Sequence, residues 1–148
     1  MMRRRRAREG AVEVLYQVDL MHDDPEPVLA DAIQRLGLAA GAAQYLRRAV
    51  SETLVNQSRI DGALVQTLEK WKLARLSCVD RAILRLACCE ILLFPDVPSV
   101  VSINEAVELA KLYGDDKSPS FVNGVLDAIA RRYPKPDAAL AIRNPRSA

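Results

Sequence analysis

Five arginines among the first eight residues (Arg3, Arg4, Arg5, Arg6 and Arg8), with no acid between them, form the densest charge in this 148-residue chain. Guanidinium forks at that spacing suit one task well, the neutralisation and hydrogen bonding of phosphates or carboxylates. Two aromatic residues add to this. Tyr16 falls near the edge of the apolar stripe of the first helical segment, and Phe121 lies off the stripe formed by Val122, Val125 and Ile129. A ring at a stripe edge serves either as partial core or, next to arginines, as a platform on which an unpaired base stacks. Spacing alone leaves both readings open.

Other residue clusters promise less. His22 is the sole histidine. The run His22-Asp23-Asp24 has the right atoms for a metal, but adjacent residues in a turn diverge, and a helix-capping Asp24 accounts for the cluster. Cys88 and Cys89 are consecutive in an apolar segment and read as small core residues. Cys78, at a helix start, lacks any assignable base. There is no phosphate-cradling glycine loop. We therefore expect no enzyme, no metal and no cofactor, and three cysteines without a disulfide framework suggest a reducing, cytoplasmic compartment.

The net charge of +2 conceals segregation, because residues 9–130 carry eleven bases against eighteen acids. Residues 131–148 are basic again, through Arg131, Arg132, Lys135, Arg143 and Arg146. A basic arm (residues 1–8) on an acidic body implies an electrostatic partner, either a nucleic-acid backbone or an acidic protein. If the arm is solvated, replacing its arginines leaves stability nearly unchanged. No apolar run is long enough to cross a bilayer. Glu9, Glu13 and Asp19 interrupt the first segment, so we expect no secretory leader and no membrane partner.

Half the residues are apolar and only 5% aromatic, and the apolar spacing is helical nearly throughout. The expected class is all-α: seven helices in two packed bundles around a central apolar helix. The first helix is predicted from about Arg5 to Met21. Asp24-Pro25 should cap the second, and Gly37 should stop it. Leu38–Ala43 marks the seam before the third. Ser58 with Asp61 and Ser77 with Asp80 resemble capping boxes for the fourth and fifth, and Ser102 with Glu105 forms a full box for the sixth. Ser118-Pro119 opens the seventh. The fifth, about Cys78–Phe94, is apolar over most of its circumference and should be central. One domain is expected over residues 1–133, with halves of about 1–57 and 58–133 and a loose tail at 134–148.

Several stretches together resemble the NusB family. They are Arg4-Arg5-Arg6-Ala7-Arg8-Glu9 leading to Leu15-Tyr16; Asp80-Arg81-Ala82-Ile83-Leu84-Arg85; Asp96-Val97-Pro98 followed by Ile103-Asn104-Glu105-Ala106; and Lys117-Ser118-Pro119 followed by Phe121-Val122-Asn123-Gly124-Val125. The resemblance spans about residues 3–133. It implies a seven-helix, non-enzymatic antitermination factor. The implied partners are the boxA element of nascent ribosomal RNA, read as single-stranded RNA, together with NusE (a small-subunit ribosomal protein) and the transcription elongation complex. NusB-like proteins occur as homodimers as well as monomers. By the same resemblance Arg4, Arg5, Arg6, Arg8, Tyr16, Lys117 and Phe121 would meet RNA. Asp80, Arg81 and Arg85 would face NusE or its junction with RNA. Asn104 and Asn123 are expected to pin helices together from buried positions, and Gly124 to permit close helix approach. Cys89 stands where the family usually has an aromatic. Two alternatives are a helical protein-interaction module with no RNA role, and a relative of the NusB-like domain of RNA cytosine methyltransferases, which would need a catalytic domain after residue 148.

Overall fold

The computed structural model describes residues 2–68 and 72–135, with side chains from Arg4 onward. The helices are α1 (Met2–Met21), α2 (Pro25–Leu36), α3 (Ala40–Val55), α4 (Gln57–Thr67), α5 (Cys78–Leu93), α6 (Ser99–Tyr113) and α7 (Ser118–Arg132), with one 3-10 turn at Leu73–Arg75. There is no strand among the described residues. The tail beyond Lys135, with Arg143 and Arg146, lies outside them.

Local signals explain several boundaries. Asp24 accepts the Glu26 N–H ahead of Pro25, and Gly37 closes α2 at φ 61°, a conformation that costs a residue with a Cβ. Ser77 caps α5 by accepting the Asp80 N–H at 3.1 Å. The other boxes are absent. α4 begins at Gln57 after Asn56, with no side-chain cap, so Ser58 lies within its first turn. α6 begins behind Pro98, three residues before the predicted box.

α5 is the central helix, packing on α1, α3, α4, α6 and α7. Ile83, Leu84, Leu86 and Ile91 are among its buried residues, each worth about 2 kcal/mol in apolar burial. One continuous core runs through both halves, from Val14 on α1 and Leu46 on α3 to Leu126 and Ile129 on α7. Gly10 lets α1 lie close to its neighbours: a Cβ there would stand 3.1 Å from Leu36 Cδ1 and Leu46 Cδ2. α1 runs antiparallel to α5, because Arg8 near its start reaches Glu90 near the end of α5, and Asp19 near its end reaches Arg81 near the start. It runs parallel to α6 by the pairs Arg5–Glu105 and Glu13–Tyr113. This frame brings the head of α1 to the α5–α6 turn.

Candidate nucleic-acid interface

The arginine run is helical, not a loose arm. It forms the first two turns of α1, and its side chains fan out in different directions. Arg4 lies over the Tyr45 ring, 4.4 Å from its centroid, and pairs with Asp96 at 3.5 Å. Arg5 makes a two-pronged pair with Glu105, at 3.0 and 2.7 Å. Arg6 donates to the Leu36 carbonyl at 2.6 Å, at the negative end of the α2 dipole. Arg5 and Arg6 stay exposed.

Arg8 corrects an expectation. It is 4% exposed, on the inward stripe with Ala7 and Ala11, and donates Nε–H to Glu90 at 2.8 Å. The same Glu90 oxygen accepts the Tyr45 hydroxyl at 2.6 Å, and the other accepts Ser102 Oγ–H at 2.7 Å. Burial first, then the Glu90 charge, pushes the Tyr45 hydroxyl well above its ordinary range. One interior carboxylate thus ties α1, α3, α5 and α6 together. Arg8 has no free edge for a phosphate; it anchors the helix that carries the others.

The remaining predicted residues divide into two groups. Phe121 is half-buried against the edge of the core. With Ser77, Asp80, Asp115 and Lys117 it lines a cleft of about 640 Å³ between the start of α5 and the α6–α7 loop. Asp115 orders that loop by accepting the N–H groups of Lys117 and Ser118 at 2.9 and 3.1 Å, bonds that hold its carboxyl below the ordinary value. Lys117 is exposed. Asp80 Oδ1 is enclosed and has no hydrogen-bond partner among the described residues. Tyr16 is 36% exposed, one helical turn beyond Glu13, which accepts the Tyr113 hydroxyl at 3.3 Å just before the loop. The fold therefore gathers Asp80, Lys117 and Phe121 at one cleft, with Tyr16 towards the same end.

Arg81 and Arg85 turn away from it, which corrects their assignment to a partner surface. Arg81 pairs with Asp19 at 2.7 Å and donates to the carbonyls of Leu73, Ala74 and Leu76. Arg85 forks onto Asp61 through two bonds of 2.9 Å. Their side chains are only 13% and 11% exposed. One turn apart on the central helix, they face α1 and α4 and brace α5 against both.

A second cavity, of about 580 Å³, borders the first at Ser120 and is lined by Arg5, Asn104, Glu105, Lys111 and Asn123. Both asparagines are exposed, so neither pins helices from the interior. Gly124 is exposed too, and a Cβ there would meet nothing within 4 Å, so no close helix approach explains it. Glu90 is the principal residue that sequence reasoning passed over. An acid inside the apolar run from Leu86 to Leu93 needs a buried partner, and that signal was present. Arg48 on α3 carried no such signal, because its partner Asp96 lies 48 residues away. Among the described residues no three His, Cys, Asp or Glu side chains gather as a metal site. No described helix is long and apolar enough to cross a membrane.

These features define a small all-helical protein with a basic helical head, Arg5 of which lines one of two adjoining clefts. The NusB family profile matches residues 5–131. The chain is 43% identical over 128 residues to the transcription antitermination protein NusB of Bacillus pumilus, covering 86% of this chain and 95% of that one. It is 42% identical over 139 residues to that of Natranaerobius thermophilus, covering 90% and 99%. Among solved structures, T. maritima NusB superposes with a TM-score of 0.84 at 40% identity, over 90% of this chain and 94% of that one. NusB in a complex of the antitermination factors NusB and NusE with double-stranded RNA gives 0.83 at 29%, over 90% and 99%. The chain belongs to the NusB family, and these relatives are transcription antitermination proteins.

Proposed function

We propose that this chain is an RNA-binding transcription antitermination factor that engages boxA-type RNA of nascent ribosomal transcripts jointly with NusE, within the elongation complex in the cytoplasm. The observation that carries this reading is the similarity along nearly the whole chain to the NusB of a NusB–NusE–RNA complex. The site supports it chemically. Arg4, Arg5, Arg6 and Lys117 supply charge for phosphates. Tyr16 and Phe121 offer rings at the surface, and Asp80 lines the same cleft as Lys117 and Phe121.

Electrophoretic mobility shift with boxA RNA, scrambled RNA of equal length and duplex RNA, each with and without NusE, tests the reading. Preferential retention of boxA RNA, strengthened by NusE, is the expected result. Equal affinity for all three RNAs would overturn the boxA preference, and NusE capture with no RNA binding would favour a protein-interaction module instead.

A further inference from the structure

Arg4 from α1 and Arg48 from α3 converge on a single carboxylate at the α5–α6 turn. Arg48 donates to both oxygens of Asp96, at 2.8 and 3.1 Å, and Arg4 approaches one of them at 3.5 Å. Each guanidinium lies on an aromatic face. Arg4 is 4.4 Å from the Tyr45 centroid, and Arg48 is 3.8 Å from that of Phe94. The two rings meet edge to face at 5.9 Å and are themselves buried. The platforms are fixed, so the planes of both forks are set on folding and little further ordering is needed on binding.

The corner carries more positive than negative charge. Two guanidiniums face the Asp96 carboxylate, Glu52 acts on Arg48 from one turn along α3, and the Lys135 ammonium sits beside them on the carbonyls of Phe94 and Val97. The pair offers about ten N–H donors, of which Asp96 takes few. Arg4, Arg48 and Asp96 are 42%, 38% and 44% exposed, so the unused donors have an edge open to water. Stability does not account for the arrangement, since an exposed pair is worth about 0–1 kcal/mol and requires only one arginine. Arg4 also belongs to the same helical turns as Arg5 and Arg6, so the corner extends the basic head of α1 onto α3.

We propose that Arg4 and Arg48 form a two-pronged clamp for an RNA phosphate, with Asp96 as the resident anion that the phosphate displaces. The clamp rests on the RNA-binding function proposed above and adds Arg48, Asp96 and the α3 edge to it.

Fluorescence anisotropy with labelled single-stranded boxA RNA, in the presence of NusE and across a potassium chloride series, tests the clamp on wild type, Arg48→Ala and Asp96→Asn. Thermal midpoints are recorded alongside. Arg48→Ala is expected to weaken binding roughly three- to tenfold and to make the log–log salt slope shallower by about 0.7, one phosphate contact on a single strand. Asp96→Asn is expected to bind tighter than wild type, because it removes the competing anion while sparing both arginines. An anchor that was merely structural would give the opposite sign. Wild-type slope in Arg48→Ala, or unchanged or weaker binding by a folded Asp96→Asn, would overturn the clamp alone. Failure of wild type to bind any RNA would overturn the function and the clamp together. Loss of NusE retention by Arg48→Ala with RNA affinity intact would assign the corner to a protein contact and overturn the phosphate reading.

Discussion

Arg8 and Glu90 meet at 2.8 Å in the interior, with side-chain exposures of 5% and 1%. Removing either partner leaves the other charge enclosed and uncompensated. Arg8→Ala or Glu90→Ala should each lower stability by about 3–5 kcal/mol, measured by urea denaturation. The double replacement Arg8→Ala with Glu90→Ala should cost clearly less than the sum of the single losses. Additive losses would show that the two groups are not coupled. The expectation that the whole arginine run can be replaced without a stability cost therefore fails at Arg8.

Phe121 and Tyr16 differ in the stability cost that truncation should carry. Phe121 packs against the core edge, whereas Tyr16 is among the exposed apolar side chains. Phe121→Ala should lose about 1–3 kcal/mol of stability by area burial. Tyr16→Ala should lose less than about 1 kcal/mol, as expected for a surface position. If each ring stacks on a base, both variants also lose about 1–3 kcal/mol of RNA binding. Tyr16→Ala is the cleaner test, because its folded state stays intact; unchanged affinity in that variant would remove Tyr16 from the interface.

Thiol chemistry should separate the three cysteines. Burial pushes the Cys88 thiol up to about 12 and the Cys89 thiol up to about 11. Cys78 is only partly enclosed at the start of α5. Ellman's reagent at neutral pH should titrate one thiol quickly in the folded protein and the other two only after denaturation. Cys78→Ser should abolish the fast phase. Rapid reaction of all three thiols in the native protein would contradict the packing of α5.

Acid should loosen the Asp96 corner as the pH falls towards 2. Hydrogen bonds from Arg48 are the largest cause holding the Asp96 carboxyl at about 2, against an ordinary value of 3.8. Because the folded value is the depressed one, the contribution of Asp96 is complete above about pH 4 and is lost as pH falls towards 2. Glu105, held down first by its bonds from Arg5, shifts in the same direction. Urea midpoints between pH 5 and 2.5 should therefore fall less steeply for Asp96→Asn than for wild type. Parallel curves would rule out a contribution from the pair.

How much of this architecture the chain announces depends on whether a residue's partner is close in sequence. Asp24, Pro25 and Gly37 act on their own helix, so the boundaries of α2 were legible. The apolar girth of α5 likewise predicted its central place. Ser102 and Glu105 satisfy the pattern of a cap, yet tertiary partners claim both: Glu90 takes the serine hydroxyl, while Arg5 and Arg8 take the acid. Arg81 and Arg85 failed for the same reason, because Asp19 and Asp61 are invisible to local spacing. Of the cleft residues, Asp80 and Lys117 came from resemblance to the family, whereas Phe121 was also marked by its place off the apolar stripe.

The separation between the head of α1 and its anchors has a consequence during synthesis. Glu90 and Glu105 follow Arg8 and Arg5 by 82 and 100 residues. At a translation rate of about 5–20 residues per second, α1 waits on the order of ten seconds for the carboxylates that hold it. α1 therefore leaves the ribosome well ahead of the helices that secure it. Its guanidiniums meet solvent and any nearby polyanion first, and their own protein afterwards.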